Sequence, residues 1–169
     1  MTVVKKRMNA ILWKIMIRLA PKRWFIRFMR TFLVPADRFL LKRTNGRFSL
    51  GGTTGAGTLL LTTTGRRTGK HYSSPLFFTP YGDAVAVVAS NYGDRKHPQW
   101  SENLLADPRA TVTLGSRVFP VTARLLTGED HESLWRLITS YGPAYQDYLT
   151  TSGRGKFRIF ALDEARPSS

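Results

Sequence analysis

The chain has 169 residues, of which 42% are hydrophobic and 12% aromatic; that is enough apolar material for one domain with a real core, so a wholly disordered chain is excluded. It contains no cysteine, which removes disulfide frameworks, thiolate metal sites and cysteine nucleophiles together. With 26 Lys and Arg against 11 Asp and Glu the formal net charge is +15, which invites nucleic acid, an anionic membrane or an anionic small molecule as partner.

The charge is concentrated at the start. Residues 1–50 hold 13 basic side chains and one acid, Asp37, so the rest of the chain is close to balanced and the pattern is unlike that of a uniformly basic nucleic-acid binder. Nucleic acid is therefore not expected as partner. Within the segment Ile11, Leu12, Ile15, Met16 and Leu19 recur at helical spacing, with Lys14, Arg18 and Lys22 mostly elsewhere on the wheel. After Pro21 a second stripe follows, Trp24, Phe25, Phe28, Met29 and Phe32, then Pro35 and Asp37 punctuate before Phe39-Leu40-Leu41. These are short basic amphipathic helices, and the run of apolar residues is too broken to span a bilayer. Three readings fit residues 1–45: an anchor lying on an anionic membrane surface, a segment packed on the following domain, or a transit peptide, against which the first serine, Ser49, counts. The first places the protein in the cytoplasm, peripheral at the inner face of the cell membrane.

From about residue 51 to 165 the texture changes to strand-like runs and turns. The glycines Gly51, Gly52, Gly55 and Gly57 precede a strand over 58–64, and Gly65-Arg66-Arg67-Thr68-Gly69-Lys70 connects it to a second over 72–79. Pro80-Tyr81-Gly82-Asp83 is a turn, and the nearly continuous apolar run 84–90 reads as a strand buried on both faces. A polar loop, a helix from Pro98 that stops at Asp107-Pro108, and a hairpin of 111–114 and 118–125 around Gly115-Ser116 come next. A helix opened by Thr127-Gly128-Glu129-Asp130 and a last strand over 156–162 complete the chain. Mostly consecutive hairpins with a few short helices predict an α+β, mainly β fold: a small antiparallel barrel or sandwich with helices at its ends.

The sequence offers little chemistry of its own. His71, His97 and His131 are scattered without the spacing of metal ligands, so no metal is expected, and neither a nucleophile elbow nor a dinucleotide or Walker glycine pattern is present. Any redox reaction would have to be carried by a cofactor. The best anion site is the 62–70 stretch, where hydroxyls, glycines and three cations share a turn whose backbone amides could converge on an oxyanion. Taken by itself it also reads as an exposed loop with solvated charges.

A set of residues taken together is more specific: Leu60-Leu61-Thr62-Thr63-Thr64-Gly65-Arg66-Arg67-Thr68-Gly69, Pro75-Leu76-Phe77, Val87-Val88-Ala89-Ser90-Asn91, Lys96-His97-Pro98 with Trp100, Asn103-Leu104 with Ala106 and Pro108, and Tyr141 with Tyr145-Gln146-Asp147-Tyr148. In this order and spacing the stretch Leu59 to Tyr148 resembles the deazaflavin (F420)-dependent nitroreductase family, whose members are split β-barrels. The resemblance implies coenzyme F420 as cofactor, with FMN or none as alternatives. It implies that Thr64, Arg66, Arg67, Thr68, Gly69 and Lys70 grip the phosphate and polyglutamate-bearing tail. Pro75, Leu76 and Phe77 would lie against the ring, with Tyr72, Ala89, Ser90, Asn91, Trp100 and Asn103 around it; for Trp100, simple helix packing is the equal alternative. Ser90, Tyr141, Tyr145 and Tyr148 are then the catalytic candidates that orient the acceptor or help deliver a proton.

Two positions depart from the family's pattern. Tyr72 and Asn91 stand where members often carry a basic residue, which takes one or two charge-assisted contacts away from an anionic cofactor. The implied function is a peripheral-membrane oxidoreductase that passes a hydride from reduced F420 to a hydrophobic acceptor, quinone-like or nitroaromatic. The alternative is a lipid- or fatty-acid-binding member of the same family.

Overall fold

The computed structural model describes residue 19, residues 22–44 and residues 57–165. The first amphipathic stripe, from Ile11 to Met16, and the glycines before Gly57 lie outside them. The described part opens with helix α1 (Arg23–Phe28), a π-helical turn (Met29–Leu33) and helix α2 (Val34–Arg43). The break expected at Pro35 does not occur. Pro35 falls in the first turn of α2, where its missing amide costs least, and the wider π turn just before it absorbs the change of register.

Six strands follow: β1 (Thr58–Thr64), β2 (His71–Tyr81), β3 (Ala84–Val88), β4 (Arg109–Leu114), β5 (Arg117–Leu125) and β6 (Ile159–Glu164). They close into an antiparallel barrel in the order β1-β2-β3-β6-β5-β4, so that no strand is left with a free edge. Helix α3 (Gln99–Ala106) stands between β3 and β4, and helices α4 (Gly128–Tyr141) and α5 (Ala144–Ser152) between β5 and β6. The fold is the expected mainly β barrel with short helices, with α2 lying against β2.

Alternation of side chains divides the core in two. Leu59, Leu61, Val87, Val112, Val121, Phe160 and Leu162 fill the barrel, where Trp100 and Leu104 of α3 join them. Ala84, Ala86 and Ala161 face outward and are covered by Leu134 and Ile138 of α4. This explains why 84–88 is apolar without interruption: one face lines the barrel and the other lies under a helix.

Candidate active site

One end of the barrel collects the end of β1, the start of β2, helix α3 and the chain beyond β3. Between β1 and β2 the turn 65–70 closes with the Gly65 amide on the Lys70 carbonyl at 2.8 Å and the Gly69 amide on the Gly65 carbonyl at 2.8 Å. Asn103, buried on α3, accepts the Arg66 amide at 3.2 Å and donates to the Thr63 hydroxyl at 3.0 Å, which ties the turn to the barrel plug. Tyr72 braces the other side: its hydroxyl lies 3.1 Å from that of Thr68, and its ring is so close to Gly65 that a Cβ there would sit 2.5 Å from it. The turn is therefore held at both ends, with the Gly65, Thr68 and Gly69 amides bonded within it and the Arg66 amide bonded to Asn103. The exposed side chains Arg66, Arg67 and Lys70 are its cations for anion capture.

The strand register shows what lies below those cations. Thr64 pairs with His71, Thr62 with Ser73 and Thr111, Leu60 with Pro75, and Thr58 with Phe77. Thr62 and Ser73 share a face, since their hydroxyls are 3.0 Å apart. Because alternate residues keep to one side of a strand, the outer face of β1–β2 runs from cations at the turn, through hydroxyls at Thr64, Thr62, Ser73 and Thr111, to the apolar Leu60, Pro75 and Phe77. A cavity of about 290 Å³, lined by Thr62, Thr64, His71, Asp107, Arg109 and Thr111, opens along its polar part. Leu76 points the other way and packs on the barrel interior. Direct contact with a ligand on the outer face is thus open to Pro75 and Phe77, while Leu76 anchors the strand behind them.

The same face of β2 continues from Phe77 to Thr79, whose hydroxyl is 2.5 Å from that of Tyr141 at the end of α4. Tyr145 and Tyr148 follow on α5, their rings edge to face at 6.2 Å, and Tyr148 meets Tyr92 at 6.3 Å. The helical spacing of Tyr145 and Tyr148 does put both rings on one face, with Trp135 supporting Tyr145 at 6.4 Å. Burial raises the phenol of Tyr145 and pushes that of Tyr148 up to about 12, so both stay protonated donors at neutral pH.

Ser90 ends the strand region, and after it Asn91, Tyr92 and Gly93 all take positive φ, 50°, 54° and 75°. That conformation costs about 1–2 kcal/mol for a residue with a side chain and persists only where the surroundings enforce it. The Gly93 amide bonds the Ser90 carbonyl, Asn91 Nδ2 donates to the Lys96 carbonyl at 2.8 Å, and a Cβ on Gly93 would press on the Tyr148 backbone at 3.0 Å. Asn91 is thus committed to its own loop. Ala89 is fully buried, and Trp100 packs edge to face on Phe160 at 5.8 Å inside the barrel. Trp100 and Asn103 accordingly build the site's frame from behind, and for Trp100 the packing role is the one seen.

Arg154, which no local sequence pattern marks, holds this region together. Its guanidinium donates to the Ala89 carbonyl at 3.1 Å, to the Ser90 carbonyl and to His97 Nδ1 at 3.0 Å, and lies 4.3 Å from the centre of the Phe157 ring. Since Arg can only donate, His97 accepts through Nδ1 and carries its proton on Nε2. Burial, with the charges of Arg158 and Arg154, holds the His97 imidazole below its ordinary range. Arg158 in turn bonds Glu102 of α3 at 2.6 Å and holds that carboxyl low. His97 is therefore a structural histidine at the loop-to-helix junction.

The closed six-stranded barrel with short helices is a split-barrel fold, and its outer face carries a cationic turn at one end and a tyrosine cluster at the other. The chain's residues 37–163 match the F420H(2)-dependent quinone reductase family, and the chain belongs to it. It is 30% identical over 135 residues to an F420H(2)-dependent quinone reductase of Mycobacterium tuberculosis, across 78% of this chain and 91% of that protein. Among solved structures it is similar to an F420-H2 dependent reductase, at 38% identity and a TM-score of 0.57 over 63% of this chain and 94% of that one. It is also similar to a chain described as a domain-swapped dimer, at 34% identity and a TM-score of 0.58 over 76% of this chain and 99% of that one. The protein is an F420H2-dependent oxidoreductase.

Proposed function

We propose that this enzyme reduces a hydrophobic, quinone-like acceptor with reduced F420 while resting on an anionic membrane surface. The observation that carries the cofactor half is the grading of the outer face of β1–β2 from Arg66, Arg67 and Lys70, through Thr64, Thr62 and Ser73, to Pro75 and Phe77. That order of chemistry fits a ligand with an anionic tail and a flat ring, which is what F420 offers. Bound there, the reduced deazaflavin supplies a hydride.

The chain's own residues do the rest. Arg66, Arg67 and Lys70 hold the tail with charge-assisted bonds, and Pro75 and Phe77 give the ring an apolar support. Tyr141, hydrogen-bonded to Thr79, and the protonated Tyr145 and Tyr148 offer phenolic hydroxyls that can orient an acceptor carbonyl and hold a proton near its oxygen. The Ser90 carbonyl is linked to Tyr148 through the 91–93 turn.

Support for the membrane half comes from α1 and α2. Trp24, Phe32 and Phe39 are 61%, 62% and 65% exposed, Phe28 is exposed beside them, and the exposed Arg27, Arg38 and Arg43 lie along the same segment. Aromatic groups left uncovered by the barrel next to arginines suit the headgroup region of anionic lipid, from which a hydrophobic acceptor could be drawn. Among the described residues no helix is long and apolar enough to cross a membrane.

Titration of the full chain with purified F420, followed by the cofactor's fluorescence, tests the reading. Saturable binding at micromolar cofactor is expected. Absence of binding at that concentration rejects it, and retention of an acyl species instead points to the lipid-binding alternative.

A further inference from the structure

We propose that Arg154 is a positioning residue for the acceptor side of the site, fixing the Ser90 carbonyl and, through the left-handed Asn91–Tyr92–Gly93 turn, the placement of Tyr148. The proposal rests on the tyrosine wall's facing the acceptor, as argued above, and adds a residue that contacts neither cofactor nor acceptor.

Three consecutive residues in positive φ need a constraint from outside the loop, because two of them carry side chains. The turn's upstream end is the Ser90 carbonyl, which accepts both the Gly93 amide and the Arg154 guanidinium. Its downstream end is Gly93, packed so near the backbone of Tyr148 that a Cβ there would press on it, while the Tyr92 ring meets the Tyr148 ring. Arg154 follows the end of α5, the helix that bears Tyr145 and Tyr148. One guanidinium thus joins the end of β3, the loop before α3 through His97, and the chain beyond the tyrosine helix. Only the planar fork of Arg reaches two carbonyls and an imidazole nitrogen at once; Lys has the charge without that geometry. Its stacking on Phe157 fixes the plane of the fork.

The test uses the full chain with Arg154→Lys and Arg154→Met and three measurements. Amide exchange of Gly93, read by NMR without any ligand, is expected to speed up by about tenfold or more in both variants as the turn loosens. With F420H2 and menadione, kcat is expected to fall by about tenfold, while the Kd for F420 stays within about twofold because the cationic turn is held separately by Asn103 and Tyr72. Gly93 exchange and kcat both within about twofold of the parent would overturn the proposal. Parallel loss of F420 binding and kcat, or failure of both variants to fold, would overturn it in favour of a general stabilising role. A parent chain that neither binds nor oxidises F420H2 would sink the proposed function, and Gly93 exchange would still decide whether Arg154 holds the turn.

Discussion

The side-chain oxygen of Asn103 accepts the backbone amide of Arg66 at 3.2 Å, while its nitrogen donates to Thr63 inside the barrel at 3.0 Å. A buried amide on α3 therefore sets the direction in which the cationic turn leaves β1. Replacing it with Ala leaves the buried Thr63 hydroxyl and the Arg66 amide without these partners, at a cost of about 1–3 kcal/mol. Asn103→Ala is expected to lower Tm by several degrees, read by thermal melting, and to weaken F420 binding because the arginines lose their fixed base. An unchanged Tm together with unchanged affinity would show that the link is idle.

Arg66 and Arg67 are exposed and separate from the core, so their removal bears on the ligand rather than the fold. Arg66→Gln and Arg67→Gln are each expected to weaken F420 about tenfold, the value of one charge-assisted contact at roughly 1.5 kcal/mol. The melting temperature should not move, and the parent's affinity should decline with added salt as the exposed cations are screened. Fluorescence titration at two salt concentrations measures both.

How far could these features be read from the sequence? The six strands, the turn at 65–70 and the site's cations follow from local patterns, because alternation and turn residues act over a few positions. The inward face of Leu76 needs the register with Leu59, and the double cover of 84–88 needs α4. Trp100 carries no local sign that it plugs a barrel. Arg154 lies 64 residues from Ser90, and nothing near it in sequence marks the contact. Gly93 was the one available signal for the left-handed turn, beside an asparagine that tolerates that region, yet Tyr92 gives no hint of it. The helix continues through Pro35 because this residue falls in the first turn of α2, just after the π turn, where a missing amide costs least.

The half-buried position of His97 gives a pH dependence whose sign can be worked out. Folding holds its imidazole below the ordinary value of 6.5, so the unfolded chain binds the proton first. This stability is complete above that value and is lost as pH falls through it toward the depressed folded value. Thermal melts between about pH 7 and about pH 5 should show Tm falling for the parent and falling less for His97→Gln. Equal slopes would contradict the neutral Nδ1 acceptor assigned to His97.

Exposure of Trp24 and Phe32 predicts membrane partition through these side chains. The double variant Trp24→Ser with Phe32→Ser is expected to reduce pelleting with anionic vesicles about tenfold or more, given roughly 1.5–3 kcal/mol for each buried apolar side chain. Pelleting with zwitterionic vesicles should be weak for both proteins. Equal pelleting of parent and variant on anionic vesicles would exclude these two residues as the contact.

Hydride transfer from reduced F420 to a quinone-like acceptor on the graded face of β1–β2 is the proposed reaction. An anaerobic assay of F420H2 oxidation, followed by the deazaflavin absorbance with menadione as acceptor, tests it most directly. Oxidation should require both protein and quinone, and the Arg66→Gln, Arg67→Gln double variant should raise KM for F420H2 with little change in kcat. Turnover that is absent in the parent, or KM indifferent to loss of both arginines, would contradict the account.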